Sequence, residues 1–334
     1  MPALPSVPLA ISLGDPAGIG PEVIAKCWDS RDAFGLPPFV AIGDPRSVAA
    51  IWDGPIEVID DPRQADSAFD VGLPLIQLNA PHSDMPGHPS VAGAHCSLDS
   101  LEIAVGLTRS GSAAAVVTGP VAKEQLYAIG FQHPGQTEFV AERCGVSPGN
   151  VVMMLAGPTL RTVPVTTHLP LSEVQRHLTS ALIESRGRAA LRGLQRNFGI
   201  PEPRLAISGL NPHAGEGGLF GREEIDVIAP AVAAAAARGI ACTGPYPADT
   251  VYLKAFAGQF DGVLSMYHDQ GQIATKLKGF NRGVTVTAGL STVFTTPAHG
   301  TAFDIVGKGV ASTGALEQAI RLCARLARES VQVS

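Results

Sequence analysis

Nine histidines occur in the 334 residues, and three of them share one context. His168 closes the run Thr162-Val-Pro-Val-Thr-Thr. His213 closes Leu205-Ala-Ile-Ser-Gly-Leu-Asn-Pro. His268 closes Val263-Leu-Ser-Met-Tyr and is followed by Asp269. Each run is apolar and strand-like, and ligands in open α/β sheets gather at the carboxyl ends of strands. Three imidazoles arriving there could share one divalent cation and leave positions open for a substrate, although their spacing carries no short metal signature. The plain alternative is three hydrogen-bonded loop residues. His82, His88, His95, His133, His177 and His299 lack the shared context, and most of them are expected on the surface.

Three further segments carry chemistry-bearing groups. Gly14-Asp-Pro-Ala-Gly-Ile-Gly-Pro-Glu22 has the glycines for close backbone approach and a proline suited to a first helical turn. It reads either as an anion site at a helix N-terminus or as a plain strand-to-helix turn. It is neither a Walker A loop nor GxGxxG. His299-Gly-Thr-Ala-Phe-Asp304-Ile-Val-Gly-Lys-Gly309 could stack on and hydrogen-bond to an adenosine, or be a loop with a capping Asp304. Gly135-Gln-Thr-Glu138, together with Lys276, Lys278 and Arg282, could grip a carboxylate or phosphate, the alternative for the cations being a solvated basic surface.

The hydropathy pattern supplies elements to position these groups. Leu9–Leu13, Phe39–Ile42, Ile56–Ile59, Ala114–Val117, Val151–Leu155, Arg161–Thr166, Leu205–Ser208, Gly262–Met266 and Val284–Thr287 read as buried strands. Pro21–Trp28, Leu98–Ser110, Ala122–Ile129, Leu171–Phe198 (one helix or two), Ile225–Arg238 and Ala315–Arg328 read as helices. Pro230 either kinks its helix or marks its true first turn. Strands alternating with helices predict an α/β fold with a largely parallel sheet. Length predicts two domains, and with no repeat or low-complexity linker they are expected to interweave.

Composition narrows the class. Apolar residues make up 45 % and charged residues 16 %, which excludes intrinsic disorder. A net charge of -6 without a Lys/Arg block excludes a nucleic-acid partner. No apolar run reaches membrane-spanning length, and no signal peptide is read at the N-terminus, so a cytoplasmic protein with no membrane partner is expected. Five scattered cysteines without CxxC are expected as free thiols in a reducing compartment.

Taken together, the segments resemble the 4-hydroxythreonine-4-phosphate dehydrogenase family along nearly the full chain. The resemblance rests on Gly14–Glu22, Thr118-Gly-Pro120 with Lys123, Thr137-Glu138, His168, Asn211-Pro-His-Ala-Gly-Glu216 and Leu219-Phe-Gly221. It continues through Gly244-Pro-Tyr-Pro-Ala-Asp249-Thr250, Tyr267-His-Asp-Gln-Gly271 and His299-Gly-Thr-Ala302. The last motif also resembles the adenosine loop of isocitrate and isopropylmalate dehydrogenases. The resemblance implies a non-Rossmann, two-domain α/β/α fold of the isocitrate/isopropylmalate dehydrogenase type with a cleft between domains. One domain is expected over 1–130 and 300–334, the other over 131–299 with the metal histidines and the dimer interface. It implies a homodimer with a shared site, a divalent ion (Zn, Mg, Co or Mn) on His168 and His213 of one subunit and His268 of the other, and NAD or NADP near His299, Gly300, Thr301 and Asp304. It also implies oxidation of a secondary alcohol beta to a carboxylate, followed by decarboxylation. Asp249, Asp269 and Lys276 are the expected catalytic residues.

The chain departs from the family at the phosphate end of the substrate. Among the expected substrate contacts, Lys276 and Thr137 are kept, while Gln136, Thr285 and Phe294 stand where the family has His, Asn and Arg. Phe offers a phosphate none of the bidentate donors of Arg. Three substrate readings stay open: the family's own phosphate ester, a threonate or erythronate 4-phosphate, and a terephthalate-type cis-dihydrodiol, whose flat ring would suit Phe294. A non-catalytic binding protein is a fourth reading, opposed by the intact histidines.

Overall fold

The computed structural model describes residues 7–78, 85–279, 282–297 and 299–331; His82 lies outside them. Its strands, in chain order, are β1 (Leu9–Ser12), β2 (Phe39–Gly43), β3 (Ile56–Val58), β4 (Leu73–Gln77), β5 (Val116–Thr118) and β6 (Val152–Ala156). They continue with β7 (Arg161–Thr166), β8 (Leu205–Ser208), β9 (Cys242–Tyr246), β10 (Gly262–Tyr267), β11 (Val284–Ala288) and β12 (Phe294–Pro297).

The chain divides into two compact units. One runs to Cys144 and resumes over Thr292–Val331; the other is Gly145–Ser291. The crossings fall at 144/145 and 291/292, not at 130/131 and 299/300. Gln136, Thr137 and Phe294 therefore belong to the first unit, where the expected limits put them in the second.

In the first unit the strand order is β3-β4-β2-β1-β5-β12, and every pairing is parallel. Parallel strands are covered on both faces, which explains why β1, β2 and β5 are continuously buried. The helix Val91–Arg109 packs on β1 and β2, and Gly314–Val331 packs on β12. Ser100 of the former ties two strand ends together. Its Oγ accepts from the Leu13 N–H at 3.2 Å and donates to the Ile42 carbonyl at 2.6 Å.

In the second unit the order is β11-β6-β7-β10-β8-β9. From β7 to β9 the strands are parallel, but β6 pairs antiparallel with both β7 and β11, so this sheet is mixed. The predicted stretch Leu171–Phe198 is two helices, Leu171–His177 and Ser180–Phe198. Thr179 separates them because its Oγ1 caps the second helix, accepting from the Leu182 N–H at 3.2 Å. Gly199 at φ 60° ends it. Pro230 sits in the first turn of the helix Ala229–Ala237, after a π-helical turn at Glu224–Ile228. Leu194, Met154, Val163 and Leu264 pack in the core between this helical layer and the sheet.

Among the described residues no helix is long and apolar enough to cross a membrane. All five cysteines are free, four of them buried.

Candidate functional site

Strands β7 and β10 are hydrogen-bonded neighbours with Thr166 opposite Tyr267. The residues that follow them must therefore lie side by side. His168 is two residues beyond β7, and His268 starts the helix His268–Gly279 directly after β10. Their rings lie 5.7 Å apart, centroid to centroid, tilted by 40°. The His268 Nδ1 is 2.7 Å from the Asp269 carboxylate. An ionised carboxylate only accepts, so Nδ1 carries the proton and Nε2 is left with its lone pair outward. Two imidazoles this close, one oriented by a carboxylate, fit a divalent ion with Zn–N distances of about 2.0–2.1 Å. Among the described residues no three His, Cys, Asp or Glu side chains of this chain are gathered tightly enough to hold an ion by themselves. His168 was expected beside His213, with His268 reaching in from a second subunit; within one chain the structure pairs His168 with His268.

His213 follows β8, the neighbour of β10 on its other side. Its backbone is left-handed, with φ 52°, and Ala214, Gly215, Glu216 and Gly217 continue in the same region. A non-glycine residue costs roughly 1–2 kcal/mol there. The buried Glu224 holds the segment. Its Oε1 accepts from the Leu210 and Asn211 N–H groups, both at 2.8 Å, and its Oε2 from the Asn211 side chain at 3.0 Å. Asn211 also donates to Glu223 at 2.6 Å. Gln270 links the ends of β10 and β8, accepting from the Met266 N–H at 2.7 Å and donating to the Gly209 carbonyl at 2.8 Å. Neither Glu224 nor Gln270 was singled out from sequence. The signal for Glu224 was an acidic pair opening an apolar helix.

Asp249 is exposed in the first turn of the helix Ala248–Phe256, which packs against the segment carrying His213. Lys276 is exposed on the helix that His268 begins. Thr285 is half-buried on β11, opposite Leu155 of β6.

In the first unit, Gln136 opens the helix Gln136–Arg143. Its Oε1 accepts from the Thr118 hydroxyl at 2.8 Å, and Thr118 Oγ1 is also 3.1 Å from Thr296 Oγ1. The amide oxygen is thus held by the end of β5, through a threonine that also touches β12, and its NH2 group is left to donate. Thr137 beside it is half-buried. Phe294 is different. It pairs with Val116 on β12 and is only 1 % exposed, a core ring with no surface for a ligand. Both faces of β12 are covered at this level, since the neighbouring Thr295 is buried on the opposite face, so the expected substrate contact is corrected to a structural one.

The segment 299–304 is a loop ending in the short turn Phe303–Ile305, with Gly300 and Asp304 exposed and Thr301 half-buried. The His299 Nδ1 donates to the Gly300 carbonyl at 3.2 Å. Its Nε2 is buried with no partner among the described residues. A buried acceptor left open in this way fits a ligand N–H, such as the amino group of an adenine. Gly14–Glu22 supports this loop. Gly18 has Thr301 within 3.1 Å of where a Cβ would stand, and the Ile19 N–H donates to the Thr301 carbonyl at 2.9 Å.

The family model for the pyridoxal phosphate biosynthetic protein PdxA matches residues 37–323. The 4-hydroxythreonine-4-phosphate dehydrogenase of Erythrobacter litoralis is 50 % identical over 328 residues, covering 97 % of both chains. The crystal structure of the 4-hydroxythreonine-4-phosphate dehydrogenase of Klebsiella pneumoniae superposes with a TM-score of 0.86 at 36 % identity, over 96 % of this chain and 99 % of that one. A terephthalate 1,2-cis-dihydrodioldehydrogenase from Burkholderia xenovorans gives a TM-score of 0.64 at 29 % identity, over 96 % and 98 %.

Two outcomes follow from the geometry. Glu224→Ala removes three hydrogen bonds to a charged acceptor and should cost on the order of 3 kcal/mol or more. Metal titration should show at least a tenfold weaker ion, as for other residues that orient ligands; unchanged affinity in folded protein refutes the role. Burial holds the His299 imidazole below its ordinary value of 6.5. Below pH 6.5 the unfolded chain takes up the proton more readily than the folded one, so this contribution to stability is lost as pH falls. Urea unfolding at pH 5.5 and 7.5 should show a smaller acid-side loss in His299→Gln than in the parent.

Proposed function

The chain belongs to the PdxA family, and from that premise we propose that it is a metal-dependent, NAD(P)-dependent 4-hydroxythreonine-4-phosphate dehydrogenase acting as a shared-site homodimer. The observation that carries the reading is the meeting of His168 and His268 at the ends of adjacent parallel strands, in a chain half identical to a 4-hydroxythreonine-4-phosphate dehydrogenase.

The alcohol's C–H bond leaves as hydride and its O–H proton as H+. The bond to the carboxylate then breaks, its electron pair moves toward the new carbonyl, and CO2 departs. A divalent ion (zinc, magnesium, cobalt or manganese), when bound, supplies Lewis acidity at the alcohol oxygen, and NAD or NADP supplies the hydride acceptor. His168, His213 and His268 are the proposed ligands of the ion. Asp269 keeps the Nδ1 proton of His268 in place, a positioning role supported by the 2.7 Å contact. Asp249, exposed and without a partner among the described residues, is left to take the alcohol proton. Lys276, Gln136, Thr137 and Thr285 contribute donors to the substrate's anionic groups. His299, Gly300, Thr301 and Asp304 take the adenosine end of the dinucleotide, supported by the open Nε2 of His299.

The buried Phe294 removes the argument for a flat, unphosphorylated substrate. The dimer is supported by exposed apolar side chains on the segments that carry the site: Leu171 at 68 %, Leu219 at 74 % and Leu277 at 82 %, with Phe220 and Ile273 also exposed. Large apolar groups left exposed on all three histidine-bearing segments suit an association surface.

Nicotinamide reduction with 4-phosphohydroxy-threonine is the expected result in the metal-loaded enzyme; turnover of a cis-dihydrodiol cyclohexadiene carboxylate alone overturns the substrate reading. Mixing His213→Ala with His268→Ala protomers, each inactive alone, should restore part of the activity if ligands come from two subunits. No restoration after subunit exchange refutes the shared site.

A further inference from the structure

The second unit contains a cavity of about 540 Å3 lined by Asn150, Glu184, Ser185, Arg188, Arg192 and Arg238, with two alanines besides. None of these residues lies on the segments that carry His168, His213 or His268. Four of the six belong to the helix Ser180–Phe198, with Arg188 and Arg192 exposed, Ser185 half-buried and Glu184 buried, and Arg238 follows the helix Ala229–Ala237. Arg238 donates to the carboxylate of the buried Glu184. That pairing matters for Arg188. Glu184 stands four residues before it, the favourable order for a helical ion pair, yet its carboxylate is already engaged. Arg188 and Arg192 are themselves four residues apart, and neither has an ion pair or hydrogen bond among the described residues. Like charges at that spacing repel. Other arginines of the same helix are absorbed by backbone: Arg186 donates to the Val151 carbonyl at 2.5 Å and Arg196 to the Ser291 carbonyl at 3.5 Å. The cavity floor is fixed as well, since Ser185 Oγ donates to the Gly149 carbonyl at 2.6 Å, next to Asn150.

Three guanidiniums therefore face one carboxylate, in a protein whose net charge is -6. The lining has no aromatic or large aliphatic wall, so an extended apolar ligand gains nothing there. A small anion does. Two uncompensated forks match the oxygens of a phosphate dianion, and the Asn150 amide adds a neutral donor. We propose that this cavity is a binding site for a compact phosphate group, free or as the monoester of a small polyol, separate from the substrate's own site.

Calorimetric titration of the metal- and nucleotide-loaded enzyme tests this, with inorganic phosphate, glycerol 3-phosphate and citrate as probes. The paired variant Arg188→Gln/Arg192→Gln changes two exposed side chains and is expected to fold and to keep kcat/KM. Phosphate binding should show one site fewer per chain than in the parent, or at least a tenfold weaker one. Arg188→Lys/Arg192→Lys, which keeps charge but not the fork, should fall between. Tighter glycerol 3-phosphate than phosphate, lost in the Gln variant, identifies a monoester as the occupant; equal binding identifies the free ion. Phosphate binding identical in parent and Gln variant overturns the proposal. So does citrate binding at this cavity with phosphate excluded.

Discussion

The parallel pairing of β7 with β10 is the constraint on which the site rests. Thr166 lies opposite Tyr267, and that register alone brings His168 and His268 to the same level at the carboxyl edge. A slip of one residue would turn every side chain of β10 to the opposite face. The register is well specified because both faces of these strands are packed: Val163, Val165, Leu264 and Met266 on one face, and Thr162, Val263 and Ser265 on the other, are all nearly inaccessible to solvent. Tyr252 strengthens it, its hydroxyl 2.9 Å from Ser265 Oγ in the core, and burial raises that phenol to about 12, so it stays a neutral partner. The polar site is thus a by-product of apolar packing several residues upstream.

The left-handed segment His213–Gly217 makes the opposite demand. Three of its residues, His213, Ala214 and Glu216, have side chains and pay steric energy, together roughly 3–6 kcal/mol. Bonds to a charged acceptor contribute about 1.5–3 kcal/mol each. Glu224 makes three of them to Leu210 and Asn211, enough to balance the strain. The conformation is held from outside, by a carboxylate on the following helical turn. Such imported support is typical where a side chain must be presented at a fixed place.

This division explains what sequence could and could not show. Strands read from continuous apolar runs, such as Arg161–Thr166 and Leu205–Ser208, match the structure residue for residue. β4 and β9 were missed because Pro74 and Pro245 interrupt the pattern. β9 lies at the sheet edge, where proline is tolerated, and β4 carries its proline as the second residue. Phe294 was misjudged for a different reason. A family position fixes where a residue falls along the chain but not how deeply its strand is covered, and at Phe294 and Thr295 both faces of β12 are packed. Glu224 and Gln270, which organise the segments bearing His213 and His268, bond to groups that are remote in sequence or on a neighbouring strand. The acidic pair Glu223-Glu224 marks a helix start, but no local pattern names the backbone groups it bonds.

Gly14–Glu22 shows the same principle at the loop of His299. Gly14 takes φ +75°, and a Cβ there would stand 2.3 Å from the Pro120 carbonyl oxygen. The loop is buried throughout, and two of its N–H groups reach other segments: Asp15 donates to the Pro120 carbonyl and Ile19 to the Thr301 carbonyl. One turn into the helix, Glu22 pairs with Lys26 at 2.6 Å, and Lys26 reaches on to the Gly309 carbonyl at 2.9 Å. The loop of His299 is therefore gripped before and after its turn by a segment nearly three hundred residues earlier in sequence. A motif that reads in sequence as a ligand cradle serves here as a clamp on a second loop, and its glycines at positions 14 and 18 answer to Pro120 and Thr301.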